Sequence, residues 1–197
     1  MPIQTLPLPC ADTDIRSLRV GDRVVLTGIL YTARDRVHKF LAEGGESPVP
    51  LRNGGIFHCG PVVMEGERPR EPFNWRVTAA GPTTSIREEP YMAEIIAEHG
   101  IRVIAGKGGM GEATREACRL YGCVYVQLVG GAAALLAQGI RNVRGVHFLD
   151  EFGPTEALWE LELGAIDGIV GMDAYGRSLY EDVRESSRRS LELVIND

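Results

Sequence analysis

The chain has 197 residues, 44% of them hydrophobic and 24% charged, with a formal net charge of −6 at pH 7. That length suits one α/β domain, or one domain with an appendage, and is enough to bury a substantial core. The acidic balance excludes a general nucleic-acid binder, whose affinity would come from basic stripes, and no apolar run reaches membrane-spanning length.

The opening Met1-Pro2-Ile3-Gln4 lacks the charged and apolar regions of a signal peptide. Cys10, Cys59, Cys118 and Cys123 form no C-x-x-C pair, so free thiols in a reducing cytoplasm are expected rather than a disulfide framework. Of the 21 basic residues only Lys39 and Lys107 are lysines.

Residues 1–20 carry Pro, Asp and Arg with little periodicity and read as an arm, followed by a turn at Val20-Gly21-Asp22. The β-branched run 23–32 (RVVLTGILYT) predicts a strand. In 33–43, Val37, Phe40 and Leu41 share a helical face, and Gly44-Gly45 stops the helix. A strand over 55–64 is interrupted at Gly60-Pro61, and 65–72 is a charged, proline-broken connection.

The middle third is more regular. Strands are expected at 75–80, 101–105 and 123–129, and helices at 87–99, 111–121 and 132–138, each closed by a glycine. Such alternation implies βαβ units and a parallel sheet with right-handed crossovers. Further on, a strand is expected over 145–149 and a hairpin over 166–172, turning at Asp173-Ala174-Tyr175-Gly176. A charged helical tail follows from Glu181, with 183–197 set apart as an appendage.

In a parallel α/β sheet the carboxyl ends of the strands and the following helix N-termini face one crevice. Three successive loops there have anion-binding composition: Gly81-Pro82-Thr83-Thr84 with Arg87, then Gly106-Lys107-Gly108-Gly109, then Gly130-Gly131. Glycines admit a ligand to backbone N–H groups, the threonines add hydroxyls, Arg87 a carboxylate-shaped fork and Lys107 a point charge. Taken singly, Pro-Thr-Thr-Ser also reads as a helix cap, and each Gly pair as a tight turn.

Other motifs on this stretch lead elsewhere. Residues 106–111 spell G-x-G-x-x-G, but the next strand has no acidic residue to hold a ribose, and Gly108 stands where a Walker motif requires Ser or Thr. His58-Cys59 are adjacent on a strand and point to opposite faces. His38, four residues from Arg34 on one helical face, reads as a surface or capping histidine, or as a support behind the site; Cys118 and Cys123 read as core residues, and Trp75 and Trp159 as core anchors.

Leu26-Thr27-Gly28, then Thr32-Ala33-Arg34-Asp35-Arg36-Val37-His38, Gly60-Pro61-Val62, Gly81-Pro82-Thr83-Thr84 with Arg87, Gly106-Lys107-Gly108 and Val129-Gly130-Gly131-Ala132-Ala133 occur in this order. This series resembles the β subunit, or C-terminal domain, of class I iron–sulfur fumarases and L(+)-tartrate dehydratases. The resemblance spans roughly residues 22–182.

It implies a swivelling β/β/α domain of the α/β class, with a central partly parallel sheet and flanking helices. It further implies a hydro-lyase acting on a C4 dicarboxylate, with a [4Fe–4S] cluster held by a partner α subunit in an α2β2-type assembly. By resemblance Thr83 takes part in proton transfer, while Arg34, Thr84, Arg87, Lys107, Gly130 and Gly131 bind substrate. Cys59 receives no role. A stand-alone small-anion-binding module is the alternative, and fumarate and tartrate stay undistinguished.

Overall fold

Successive residues on a strand face opposite sides, and in the central strands of this protein both sides are buried. The computed structural model describes residues 3–65 and 74–195; most of the connection expected over 65–72 therefore lies outside the described residues. In chain order the elements are β1 (Gln4–Leu8), α1 (Asp12–Ser17), β2 (Arg23–Ala33), α2 (Asp35–Ala42), β3 (Gly55–His58), β4 (Val62–Glu65) and β5 (Trp75–Ala79). After a 3-10 turn (Ser85–Glu88) come α3 (Glu89–His99), β6 (Val103–Gly106), α4 (Glu112–Tyr121), β7 (Val124–Gln127) and α5 (Ala133–Gln138). The chain ends with β8 (Ile140–His147), α6 (Leu149–Phe152), β9 (Leu158–Met172) and α7 (Leu179–Ile195).

Strands β2, β3, β6 and β7 are parallel neighbours in that order. Antiparallel β9 pairs with β7 on one side and with β2 on the other, closing the run into a barrel. Alternate residues then sort into two cores. Phe57, Val103, Ala105, Val124 and Val126 pack with Leu26, Leu30, Leu161 and Val170. Ile56, Ile104 and Tyr125 pack outward against Val37 and Leu41 of α2, Met92, Ile95 and Ile96 of α3, and Ala117 and Cys118 of α4.

This is a mixed α/β fold whose parallel strands end on one edge, as the alternation predicts. Three expectations change. Of the arm expected over 1–20, the described residues 3–20 are packed into the fold: β1 runs parallel to β2, and Leu6, Leu8, Ile15 and Leu18 are buried. Pro7 and Pro9 obscure this strand in the sequence, but an edge strand tolerates proline and only Leu6 and Leu8 face inward.

The 75–80 strand does not join the parallel sheet; β5 forms a separate antiparallel ribbon with β4. Trp75 packs there at 5.6 Å, ring centre to ring centre, on the fully buried Trp159. The segment 166–172 is the second half of the long β9 and not one arm of a hairpin. After the turn at Asp173, a single bridge from Met172 to Ser178 leads into α7. None of the described side chains of α7 is buried.

Candidate functional site

The carboxyl ends of β2, β3, β6 and β7 lie side by side because these strands are parallel, and the chain uses three of the loops there to build one polar face. The turn after β5 is stitched onto it although β5 itself is elsewhere. Thr83 donates its N–H to the His58 carbonyl at 2.6 Å, and Pro82 bridges to Cys59. Thr84 then pairs with Lys107 in parallel fashion, Ser85 N–H donating to the Lys107 carbonyl at 2.9 Å. Gly130 closes on the same place: a Cβ built on it would stand 3.4 Å from Lys107 Cδ. Thr83, Thr84, Arg87, Lys107 and Gly130 are thereby brought together.

The backbone N–H groups expected to cradle an anion are largely spent on this stitching. Gly108 N–H donates to Gln127 Oε1 at 3.1 Å and Gly109 N–H to the Tyr125 hydroxyl at 3.2 Å. At the N-terminus of α4 the Glu89 carboxylate accepts from Gly111 N–H at 2.7 Å and from Thr114 Oγ1 at 2.7 Å. That helix end therefore already holds its anion, which corrects the expectation of a seat there and leaves the G-x-G-x-x-G run no phosphate site. What the face offers a ligand is side chains.

Those side chains are uncommitted. Thr84 stands at the N-cap of the 3-10 turn without making a side-chain cap bond, so the capping reading of Pro-Thr-Thr-Ser is not realised. Lys107 has no ion-pair partner among the described residues. Arg87 is paired with Asp35, but both are well exposed, and such a pair contributes at most about 1 kcal/mol, little enough for a ligand carboxylate to displace.

Arg34 is held differently. Its side chain is one-fifth exposed, with Nη1 3.4 Å from Glu156 Oε1, and it packs so closely on Gly60 that a Cβ there would lie 2.9 Å from Arg34 Cδ. Gly131 is exposed at the rim, with φ of +77° and open space around it.

Behind the face lies a buried polar layer that the sequence does not announce. His38 is fully buried, not a surface or capping residue. Its Nδ1 donates to the Arg34 carbonyl at 2.9 Å, which fixes the tautomer because a carbonyl only accepts. His58 stacks edge-on to it at 4.8 Å. Burial lowers the His38 pKa to about 4 and drives that of His58 well below its usual range, so both are neutral. Ser85, buried beside them, accepts from the Tyr125 hydroxyl at 3.0 Å. It fits only because residue 106 is glycine: a Cβ would stand 2.0 Å from Ser85 Oγ.

The four cysteines are free and buried. Burial pushes the thiol of Cys10 up to about 11 and that of Cys59 up to about 12, and raises Cys123 well above its usual range. Thiols held protonated are poor metal ligands, and among the described residues no three His, Cys, Asp or Glu side chains converge to hold a metal. An iron–sulfur cluster does not fit within these residues of the chain.

The profile of one protein family, described as fumarase C-terminus, matches residues 4–183. The chain is 47% identical over 187 residues to a putative class I fumarate hydratase of Geobacillus stearothermophilus; the match takes in 95% of the chain and 35% of that protein. It is 38% identical to a putative L(+)-tartrate dehydratase subunit beta of Methanocaldococcus jannaschii, over 92% of the chain and 93% of the relative. With the L(+)-tartrate dehydratase subunit beta of Escherichia coli K12 it shares 37% identity, over 88% of the chain and 85% of the relative. The chain thus spans about a third of the fumarate hydratase and most of each β subunit.

Proposed function

Because this chain belongs to the fumarase C-terminus family, we propose that it is the β subunit of a hydro-lyase acting on a C4 dicarboxylate, fumarate with malate or else tartrate. In this reading its polar face closes over an iron–sulfur cluster held by a partner α subunit in the cytoplasm, in an α2β2-type assembly. The observation that carries the reading is the set of uncommitted groups on one face: Thr83 and Thr84 beside an unused cap, a lysine without an ion-pair partner among the described residues, and a loosely paired arginine. A helix start and two tight turns would need none of these.

The roles follow from charge and reach. Arg87 and Lys107 hold the substrate carboxylates, Arg87 exchanging Asp35 for the substrate, with Thr84 adding a hydroxyl and Gly130 and Gly131 admitting the ligand to the rim. Arg34, anchored on Glu156, completes the positive wall. Thr83, fixed through its N–H to His58, presents its hydroxyl for proton transfer at the carbon beside the carboxylate. A neutral hydroxyl is a weak base, so it acts only when the closed site perturbs it. Charge that develops on the carboxylate as the proton leaves is stabilised by the fixed cations. The cluster, when present in the partner, supplies the Lewis acid for the departing hydroxyl.

Assembly with a cluster-bearing α chain under anaerobic conditions, followed by assay on fumarate, malate and tartrate, tests this. Thr83→Ala is expected to lower kcat about 10²–10⁴-fold with assembly intact. Lys107→Ala should raise KM about 10–100-fold, the worth of one charge-assisted hydrogen bond. Full activity of Thr83→Ala removes its proton-transfer role. Tight dicarboxylate binding by the chain alone, without turnover in any complex, would favour the anion-binding module.

A further inference from the structure

Glu88 ends the 3-10 turn that carries Arg87 and is wholly buried. Its Oε2 lies 3.4 Å from His38 Nδ1, which already donates to Arg34, and its carboxyl also meets the Asp35 carboxylate, with which it hydrogen-bonds when protonated. His38 Nε2 and both ring nitrogens of His58 have no hydrogen-bond partner among the described residues. Leaving buried polar atoms unpaired costs about 1–3 kcal/mol each, and apolar side chains of similar volume would stabilise the core better. Stability therefore does not account for this cluster. Its attachments do suggest a role: His58 holds Thr83 through its carbonyl, His38 holds Arg34, and Glu88 adjoins Arg87 in the chain.

We propose that Glu88, His38 and His58 are positioning residues for the anion face, and that the ionisation of Glu88 governs how well Arg87 holds a substrate carboxylate; this rests on the function proposed above. The groups around Glu88 are Arg87 on its own turn, Asp35 and His38 on α2 with Arg34 at its cap, His58 on β3, and Glu156 before β9. Burial is the largest influence on Glu88, followed by Asp35; Glu156 adds to them and Arg87 opposes, and together they push the carboxyl up to about 8. At neutral pH the group is thus an uncharged acid, and Arg87 faces only Asp35. Above pH 8 a second carboxylate forms behind Asp35 and competes with the substrate for Arg87. With only the uncharged form competent, the apparent affinity falls about tenfold by pH 9.

The test is the pH dependence of KM in the assembled enzyme, comparing wild type with Glu88→Gln, an isostere that cannot ionise. Wild type should show KM rising about fivefold from pH 8 to 9, and about tenfold from neutral pH to 9, with little change in kcat. Glu88→Gln should abolish that rise and keep kcat within about twofold. An unchanged alkaline rise in a folded Glu88→Gln enzyme overturns the proposal, and so does a loss of kcat with no change in the KM profile.

Should Glu88→Gln fail to assemble, carbon-13 NMR of the Glu88 carboxyl in the wild-type full chain decides. Titration near pH 8 together with the KM rise supports the proposal, and an ordinary carboxylate pKa overturns it. Lys107→Ala in the same assay separates the two readings. If its KM equals that of wild type, the function assigned to the face has failed; if it is raised, the Glu88 result stands on its own.

Discussion

Gly106 and Tyr125 show how single residues set the polar face. The missing Cβ at 106 leaves room for Ser85 Oγ, whose hydroxyl partner Tyr125 also receives Gly109 N–H. One phenol thereby ties the turn after β5 to the loop after β6, and burial raises its pKa to about 12 although these bonds lower it. Tyr125→Phe keeps the ring packing and removes only this tie. It should cost about 1–3 kcal/mol, the penalty for buried polar groups left unpaired, measurable by urea denaturation. A loss below about 0.5 kcal/mol would mean that the turn is held by its backbone bonds alone. The unused cap at Thr84 belongs to the same scale, because it leaves the hydroxyl without the structural bond that a helix cap would give it.

At the scale of elements, β1 and β2 meet through a glycine. Gly28 adopts φ of +85°, and a Cβ there would lie 2.1 Å from the Leu8 carbonyl oxygen, at the place where the β2–β9 register also shifts. Only glycine combines that backbone conformation with so close an approach. Gly28→Ala should therefore displace β1, expose Leu6 and Leu8, and cost roughly 2–4 kcal/mol. For a chain of this size that is a fall in Tm of about 4–16 °C, and an unchanged melting curve would refute it. The β4–β5 ribbon and α5 are positioned by a different device. Ala80 N–H donates to the Ala133 carbonyl at 2.9 Å, which hands the chain from the ribbon back to the site.

For the whole molecule, the buried titratable groups shape stability against pH. The folded pKa of His38, about 4, lies below its unfolded value near 6.5. Its contribution is therefore complete above pH 6.5 and is lost as pH falls through 4, to the extent of about 3 kcal/mol; His58 shifts in the same direction. Glu88 acts oppositely. Its folded pKa of about 8 lies above the unfolded value of 4.5, so its contribution is present below pH 4.5 and is lost as pH rises towards 8. Thermal melts across pH 4–9 should show the highest Tm near pH 6–7, with the steeper fall on the acid side. A Tm that holds constant from pH 6.5 to 4.5 would contradict the neutral, buried state of the two histidines.

The sequence by itself determined the parallel strands, the helices between them and the composition of the loops at their ends, because hydrophobic periodicity and glycine stops are local signals. It also picked out Thr83, Thr84, Arg87 and Lys107, whose residue types carry their chemistry openly. Tertiary structure alone decided the closure of the barrel by β9, the burial of β1, and the exclusion of β5 from the parallel sheet, since pairing between distant strands leaves no mark in a short window. It alone decided, too, that the N–H groups of Gly108, Gly109 and Gly111 are spent internally and that Glu88, His38 and His58 lie together beneath the face. Glu88 sits at the start of the helix expected over 87–99, where no local pattern marks it as buried, and His38 on an amphipathic turn. Their burial depends on which segments pack over them, and that is fixed only when residues far apart in the chain compete for the same interior.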